Sequence, residues 1–286
     1  MTNRTTYRTA TVHGRTVFYR EAGDPTAPTI LLLHGLPTSS RMFSELIPAL
    51  ADRFHLIAPD YIGFGHSEAP PRDRFDYTFD NLAAHVAGLV DVLGLTSYSL
   101  YMQDYGGPIG FRLFTQHPER VNGFIIQNAN AYLEGVGDGP KQVLLPLWEN
   151  RTPETEKPAR DFISIEGTRF HWLVGAKDAE AINPDNWVFD QALLDRPGVQ
   201  DCQIDLLENY KTNIGLYPDW QAAFRAHKPK TLIVWGENDP FFIRPGADAY
   251  LTDLPEARLV WLDAGHFVLD ENAPLVAAEI KAMFAA

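Results

Sequence analysis

The 286-residue sequence has a single cysteine, Cys202, and far fewer basic than acidic residues. One thiol cannot form an intrachain disulfide or a thiolate metal cluster, which fits a reducing compartment. The 24 lysine and arginine residues against 37 aspartate and glutamate residues give a net charge of −13. Because so acidic a chain has no basic cluster to neutralise phosphates, we expect neither nucleic acid nor an acidic membrane surface as a partner.

The sequence also lacks a long apolar run. No stretch approaches the roughly 18 apolar residues that a membrane helix needs, and residues 1–15 lack the apolar segment of a signal peptide. We therefore expect a cytoplasmic protein. We also expect a monomer or homodimer, and the sequence implies neither a metal nor an organic cofactor. The 45% hydrophobic content is enough for one large core.

Short apolar runs rich in β-formers alternate with helical patterns, which predicts an α/β fold with a mostly parallel sheet between helices. An early antiparallel strand is predicted at 15–21, a helix at 41–50, and a helix from the N-cap Thr78 to about residue 93. The later strands are predicted at TILLLHG, HLIAP, SYSLYMQ, VNGFIIQN, TLIVWG and RLVWL. Each run ends at polar residues, and sites in open α/β sheets lie at the carboxyl ends of the strands.

The rhythm of strand and helix breaks between residues 131 and 216. This segment shows helical stretches and prolines but no clean strand, and it holds three of the six tryptophans. So many large apolar side chains indicate a folded unit and not a disordered linker. We predict a helical cap over 131–216, inserted into a core formed by 1–130 and 217–286.

The stretch SLYMQDYGGPIGF, residues 99–111, has the pattern of a strand that turns sharply into a helix, with Asp104 where a serine nucleophile is expected. Such a turn needs small neighbours because the backbone at the nucleophile is strained, and Gly106 and Gly107 supply them. Met102 is larger than the glycine of the usual motif. Taken alone, an aspartate after a strand is more often a turn or capping residue.

Five segments in order resemble the α/β-hydrolase fold, in its aspartate-nucleophile branch of epoxide hydrolases and haloalkane dehalogenases. They are HGLPTSS, DYIGFGHS, QDYGG, WGENDP and DAGH, each at the end of a predicted strand, with the cap between the third and the fourth. The resemblance covers nearly the whole chain and implies an eight-stranded, mostly parallel sheet with an inserted helical cap.

The resemblance implies a role for each matching residue. Asp104 is the expected nucleophile, His266 the base that activates water, and Asp239 the acid that orients the histidine. The backbone N–H groups of Leu36 and Tyr105 are the expected oxyanion hole. Some relatives place the acid after the preceding strand, but here that stretch reads IIQNAN and contains no carboxylate, which favours Asp239 over Glu134, the nearest spare carboxylate.

An aspartate nucleophile points to a particular chemistry. Serine attacking a saturated carbon would leave an ether, whereas a carboxylate leaves an ester that activated water can hydrolyse. The expected substrate is therefore a small apolar molecule with an electrophilic sp³ carbon, either an epoxide or an alkyl halide.

The sequence favours an epoxide hydrolase that forms a vicinal diol. Relatives that release halide typically carry Trp after the nucleophile and Asn or Glu after the His-Gly pair, where this chain has Tyr105 and Leu36. The segment ENYKTNI resembles the cap segment that holds a ring-opening tyrosine, which makes Tyr210 the expected proton donor. A second tyrosine, Tyr132 or Tyr217, is also expected to serve.

A dehalogenase remains the alternative, as does a ligand-binding protein without catalysis. In RFHW, His171 and Trp172 resemble the pair that surrounds fluoride in fluoroacetate dehalogenases, although those enzymes carry Arg where this chain has Tyr105. Both residues, and Trp148, are candidates to contact substrate.

Overall fold

The computed structural model describes residues 4–285, whose strands form one eight-stranded sheet. The strands lie in the order β1-β2-β4-β3-β5-β6-β7-β8. β1 pairs antiparallel with β2, and β2 with β4, whereas all other neighbours are parallel. The predicted α/β-hydrolase architecture is thus confirmed. The strands β1 to β8 are, in order, Thr6–Val12, Arg15–Ala22, Thr29–Leu33, His55–Pro59, Tyr98–Gln103, Val121–Gln127, Lys230–Gly236 and Arg258–Leu262.

Helices pack on both faces of the sheet and also fill the segment between β6 and β7. The helices α1 to α11 are, in order, Leu46–Leu50, Phe79–Val92, Gly106–Gln116, Asp138–Glu149, Pro153–Phe162, Ile165–Leu173, Asp185–Leu194, Val199–Asn209, Lys211–His227, Arg244–Asp253 and Val268–Phe284. Short 3₁₀ turns lie at Ser40–Phe43, Pro118–Arg120 and Leu133–Gly135.

The central strands are buried along their whole length. Every residue of β3, β4 and β5 is buried, because helices cover both faces of a parallel sheet. The strand β1 is the one that the sequence patterns did not single out. Most of its residues are exposed at the edge of the sheet, so it carries no continuous apolar run to mark it.

The helix predicted at 41–50 is broken into a 3₁₀ turn, Ser40–Phe43, and the short helix α1. Pro48 explains the break. In one continuous helix its missing N–H would remove the bond to the carbonyl of Ser44, whereas the first turn of α1 tolerates proline.

The segment between β6 and β7 is helical, as predicted, and contains α4 to α9. The predicted boundary at residue 216 falls inside α9, which continues to His227, shortly before β7 begins at Lys230. We refer to α4–α9 as the helical insertion. Within residues 4–285, no helix combines the length and the apolar character needed to cross a membrane.

We expect Thr78→Ala to lower the free energy of unfolding by about 0.5–2 kcal/mol, since the Thr78 hydroxyl accepts from the N–H of Asn81 at the start of α2. Urea unfolding followed by circular dichroism measures the change. The control is Thr96→Ala, at an exposed position outside helices and strands. Equal effects of the two substitutions would contradict a capping role.

Candidate active site

Asp104 lies between β5 and α3, on the sharp turn that the sequence predicted. Its φ of 50° is in the left-handed region, which costs about 1–2 kcal/mol for a residue with a Cβ. The chain can turn here because Gly106 passes close to β3: a Cβ on Gly106 would lie 2.2 Å from the carbonyl oxygen of Leu33. The turn places the carboxylate of Asp104 beyond the carboxyl end of β5.

One oxygen of the Asp104 carboxylate is held by two backbone donors. Oδ1 accepts from the N–H of Leu36 at 3.0 Å and from that of Tyr105 at 2.5 Å, the two groups expected to form the oxyanion hole. Burial raises the pKa of Asp104 to about 6, although His266 and these two donors act in the opposite direction. The carboxylate is therefore mostly ionised at neutral pH.

His266 and Asp239 complete a three-residue arrangement with Asp104. Nδ1 of His266 lies 2.8 Å from Oδ2 of Asp239, and Nε2 lies 3.8 Å from Oδ2 of Asp104. Burial lowers the pKa of His266, but the charge and hydrogen bond of Asp239 and the charge of Asp104 outweigh it, so this pKa lies above its usual value. The contact with Asp239 fixes the proton on Nδ1, so Nε2 is the ring nitrogen that carries the lone pair.

Two amide side chains that sequence reasoning did not single out support this arrangement. Asn128, at the end of β6, donates from Nδ2 to Asp239 at 2.8 Å and so fixes the carboxylate that faces His266. Gln103, the last residue of β5, places its Nε2 2.7 Å from Nε2 of His266. The only signal for them in the sequence was their place at the carboxyl ends of strands.

A cavity lies above Asp104, between the sheet and the helical insertion. Apart from Asp104, His266, Asn130 and His171, its lining is apolar or aromatic. In an apolar site, electrostatic interactions with a developing charge are stronger than in water. The apolar and aromatic side chains of the lining are Leu36, Tyr105, Val136, Pro140, Val143, Leu144, Trp148, Phe162, Leu207, Tyr210, Phe241 and Phe242.

Three of the predicted substrate contacts from the insertion line this cavity: Tyr210, Trp148 and His171. The Trp148 indole N–H is already bonded to the carbonyl of Leu207 at 2.8 Å. Nδ1 of His171 lies 2.7 Å from the carbonyl oxygen of Gly167, and burial lowers the pKa of this histidine to about 3. His171 is therefore neutral, with its Nε2 as an acceptor.

Tyr210 is held between aromatic rings at the junction of α8 and α9. It stacks on Trp148 and contacts Tyr105, with ring centroids 6.3 and 5.9 Å away. Burial raises the pKa of Tyr210 well above its usual value, with further contributions from Tyr217 and Asp104. Tyr217 is buried beside it but does not line the cavity, and its hydroxyl has no hydrogen-bond partner among residues 4–285. Tyr210 thus stays protonated, with a second phenol behind it.

Trp172 and Tyr132 are not among the residues that line the cavity. The indole N–H of Trp172 donates to Asp190 at 3.0 Å, and its ring stacks on Phe267. The hydroxyl of Tyr132 donates to Asp253 at 2.6 Å. Both side chains are turned toward partners outside the cavity, so the structure does not support them as substrate contacts.

Asn130 lines the cavity, and no motif in the sequence marked it as a site residue. Its side chain is buried, and neither its amide nitrogen nor its amide oxygen has a partner among the described residues. Gly135 and Gly246 make room for it, since a Cβ on either would lie 2.0 or 2.5 Å from the amide oxygen. Leaving a buried amide without partners costs free energy.

The chain belongs to the α/β-hydrolase fold family, whose model matches residues 28–273. Within the family it falls in the dehalogenase-like branch, and this confirms the resemblance identified from the five motifs. Over residues 4–285, no group of three or more histidine, cysteine or acidic side chains is arranged to hold a metal ion.

Two relatives are similar over nearly their whole length. Haloalkane dehalogenase 2 of Mycobacterium tuberculosis is 45% identical over 273 residues, which cover 91% of this chain and 88% of that protein. An uncharacterised hydrolase of Saccharomyces cerevisiae is 40% identical over 282 residues, covering 95% and 94%. The crystal structure of a haloalkane dehalogenase from Bradyrhizobium elkani has a TM-score of 0.81 at 22% identity, over 98% and 97% of the two chains, which shows the same fold.

We expect Gly35→Ala to lower the free energy of unfolding by about 1–3 kcal/mol, as in other overpacked cores. The new Cβ would lie 2.3 Å from the Cβ of Asp104 and 2.6 Å from its Oδ1. The control is Gly215→Ala in α9, where nothing lies within 4 Å and the loss of a glycine should stabilise the helix by about 0.4–1 kcal/mol. A urea titration in which Gly35→Ala is no less stable than wild type would contradict the tight packing.

Proposed function

We propose that the protein is a haloalkane dehalogenase, a hydrolase that displaces halide from an sp³ carbon through an ester on Asp104. The observation that carries the mechanism is the division of labour between the two carboxylate oxygens. Oδ1 is fixed by the N–H groups of Leu36 and Tyr105, whereas Oδ2 is free of both and lies on the side of His266.

In the first half-reaction, Oδ2 of Asp104 attacks the carbon that bears the halogen. The new C–O bond forms as the carbon–halogen bond breaks, and the halide leaves with the bonding electron pair. Burial raises the pKa of Asp104 only to about 6, so the carboxylate is charged at neutral pH. Burial also leaves this charged nucleophile poorly hydrated. The rate of this step should fall as the pH drops through about 6, where the carboxylate takes up a proton.

In the second half-reaction, water attacks the Cγ of Asp104 and gives a proton to Nε2 of His266. Oδ1 takes up the negative charge of the tetrahedral species, with the N–H donors of Leu36 and Tyr105 already in place. Cleavage of the bond between Cγ and the ester oxygen then releases the alcohol, which takes the proton back from His266. The new carboxyl group of Asp104 gives its remaining proton to solvent, so each turnover releases one halide and one proton and regenerates the carboxylate. In the first turnover the alcohol therefore carries an oxygen of Asp104.

Two observations favour halide over epoxide oxygen as the leaving group. The first is the 45% identity to haloalkane dehalogenase 2 of M. tuberculosis. The second is the amide of Asn130, which lines the cavity and has no partner among residues 4–285. The preference for epoxides predicted from the sequence rested on the lack of a halide donor at Leu36 and Tyr105. In the proposed site the N–H group comes instead from the amide of Asn130, which follows β6.

Epoxide hydrolysis is the second candidate, and Tyr210 is the observation that supports it. Its phenol lines the same cavity as Asp104 and stays protonated, so it is available to give a proton to an opening epoxide. Tyr217 behind it is the second tyrosine that better fits this role, because Tyr132 is bonded to Asp253.

A haloacid is a poorer fit to the cavity. A substrate carboxylate needs a cation, and none of the lining residues, all within the described part of the chain, is lysine or arginine. His171 does not replace them, since its low pKa keeps it neutral. A ligand-binding role without catalysis also fits less well, because a nucleophile, a base and an orienting acid lie together.

We expect His266→Gln to accumulate an ester on Asp104, since the base is required only when water attacks. Intact-protein mass spectrometry after incubation with bromobutane, followed by peptide mapping, detects the butyl adduct. Asp104→Asn is the control and should form none. If the wild type releases bromide and His266→Gln shows no adduct, the covalent mechanism is wrong.

Asn130→Leu and Tyr210→Phe separate the two candidate substrates. We expect Asn130→Leu to slow bromide release from bromobutane by about 10²-fold, the loss of one preorganised donor, with a smaller effect on epoxybutane. Tyr210→Phe should slow diol formation by about 10²- to 10⁴-fold and bromide release much less. Thermal melts establish that both variants fold.

The wild-type protein decides between the candidates in the same assays. Bromide release that depends on Asn130 supports the dehalogenase. Rapid diol formation across an epoxide panel without release of bromide, chloride or iodide from haloalkanes would overturn it in favour of the epoxide hydrolase.

A further inference from the structure

Gln103 places a neutral amide against the reactive side of His266. Its Nε2 lies 2.7 Å from Nε2 of His266, and the whole side chain is buried. Because Nδ1 of His266 holds its proton toward Asp239, Nε2 carries the lone pair and the Gln103 amide is the donor. The other end of the amide lies near Gly35, where a Cβ would come within 2.6 Å of Oε1.

The ionisable groups that face the His266 ring are Asp239, Asp104 and His171. The two carboxylates favour the imidazolium form, and Asp104 lies only 3.8 Å away. A protonated His266 would form an ion pair with Asp104, so it would weaken the nucleophile and could not act as a base. An N–H group that donates to Nε2 bonds only to the neutral ring and opposes this outcome.

We propose that Gln103 is a positioning residue that keeps His266 neutral beside the charged Asp104 until the ester has formed. Once Asp104 is esterified it has no charge, so the bias toward imidazolium weakens and water can replace the amide at Nε2. The role of Gln103 in turnover rests on the proposed function, which this inference deepens. The pairing of Gln103 with His266 does not rest on that function and is testable without substrate.

The wild-type protein provides the first test. In ¹⁵N-labelled enzyme without ligand, a scalar coupling across the N–H···N bond should join the Gln103 side-chain amide to Nε2 of His266. The His266 signals are assigned by their loss in His266→Gln. A protonated Nε2 without this coupling at pH 8 would overturn the proposal, even if no Gln103 variant folds.

The second test is the pKa of His266, followed by the same ¹⁵N signals. Gln103→Met removes the donor and should raise this pKa by about half a unit to one unit. Gln103→Glu places an acceptor there and should raise it by about one to three units. The control is Gln127→Met on the neighbouring strand. Gln127 faces Gln103 in the register but donates to the backbone carbonyl of His266 at 3.2 Å, so its loss should leave the pKa unchanged.

Kinetics show whether the pairing matters for turnover. The pH at which kcat/KM falls on the acidic side should rise in the order wild type, Gln103→Met, Gln103→Glu. The increases should equal those measured for the pKa of His266. Equal shifts for Gln103→Met and Gln127→Met, or no shift for either Gln103 variant, would overturn the inference. If the NMR results hold and no haloalkane or epoxide is turned over, the proposed function fails while the pairing stands.

Discussion

Burial of a charged carboxylate is the constraint on which the rest of the site depends. An ion taken out of water is costly unless hydrogen bonds replace its hydration. The N–H groups of Leu36 and Tyr105 do this for one oxygen of Asp104. They can reach it only because Gly35 has no side chain and because Asp104 adopts a positive φ. The turn, the glycine and the raised pKa are thus parts of one arrangement.

The same constraint explains the hydrogen bonds among the buried polar groups behind Asp104. His266 lies beside the buried Asp104, and Asp239 orients its ring and favours its positive charge. Asp239 is in turn held by Asn128 and by the backbone N–H groups of Phe241 and Phe242. The carboxylate of Asp239 is thus bonded on both oxygens, which leaves it and the ring of His266 little freedom to move.

The helical insertion decides what the core can act on. It supplies Tyr210, Trp148 and His171 to the cavity, and it closes the site above Asp104. Of these three polar side chains, Trp148 already uses its N–H within the protein and His171 is neutral. Among the lining side chains, Tyr210 on the insertion side and Tyr105 and Asn130 on the core side also carry O–H or N–H groups, and Tyr210 and Asn130 are the two whose substitution separates the candidate substrates.

Much of the fold and the core of the site followed from the sequence, because their signals are local. Strands β3 to β7 are continuous apolar runs, and Asp104, Asp239 and His266 each follow a strand end, where a parallel sheet gathers them at one edge. Edge strand β1 and the end of the insertion at His227 were less visible, since an exposed strand has no apolar run and a helix pattern does not show where packing changes.

Tertiary structure alone decided which polar side chains face the cavity. Trp172 resembled a family pair and Tyr132 was one of two candidate tyrosines, yet each is turned toward a buried carboxylate, Asp190 or Asp253. Asn130 and Gln103 looked like ordinary amides at strand ends. Their meaning depends on which atoms lie within hydrogen-bond distance, and that is set by the packing of residues far apart in the chain. The sequence thus determined which candidate residues gather at one edge of the sheet, and the structure determined which atoms they contact.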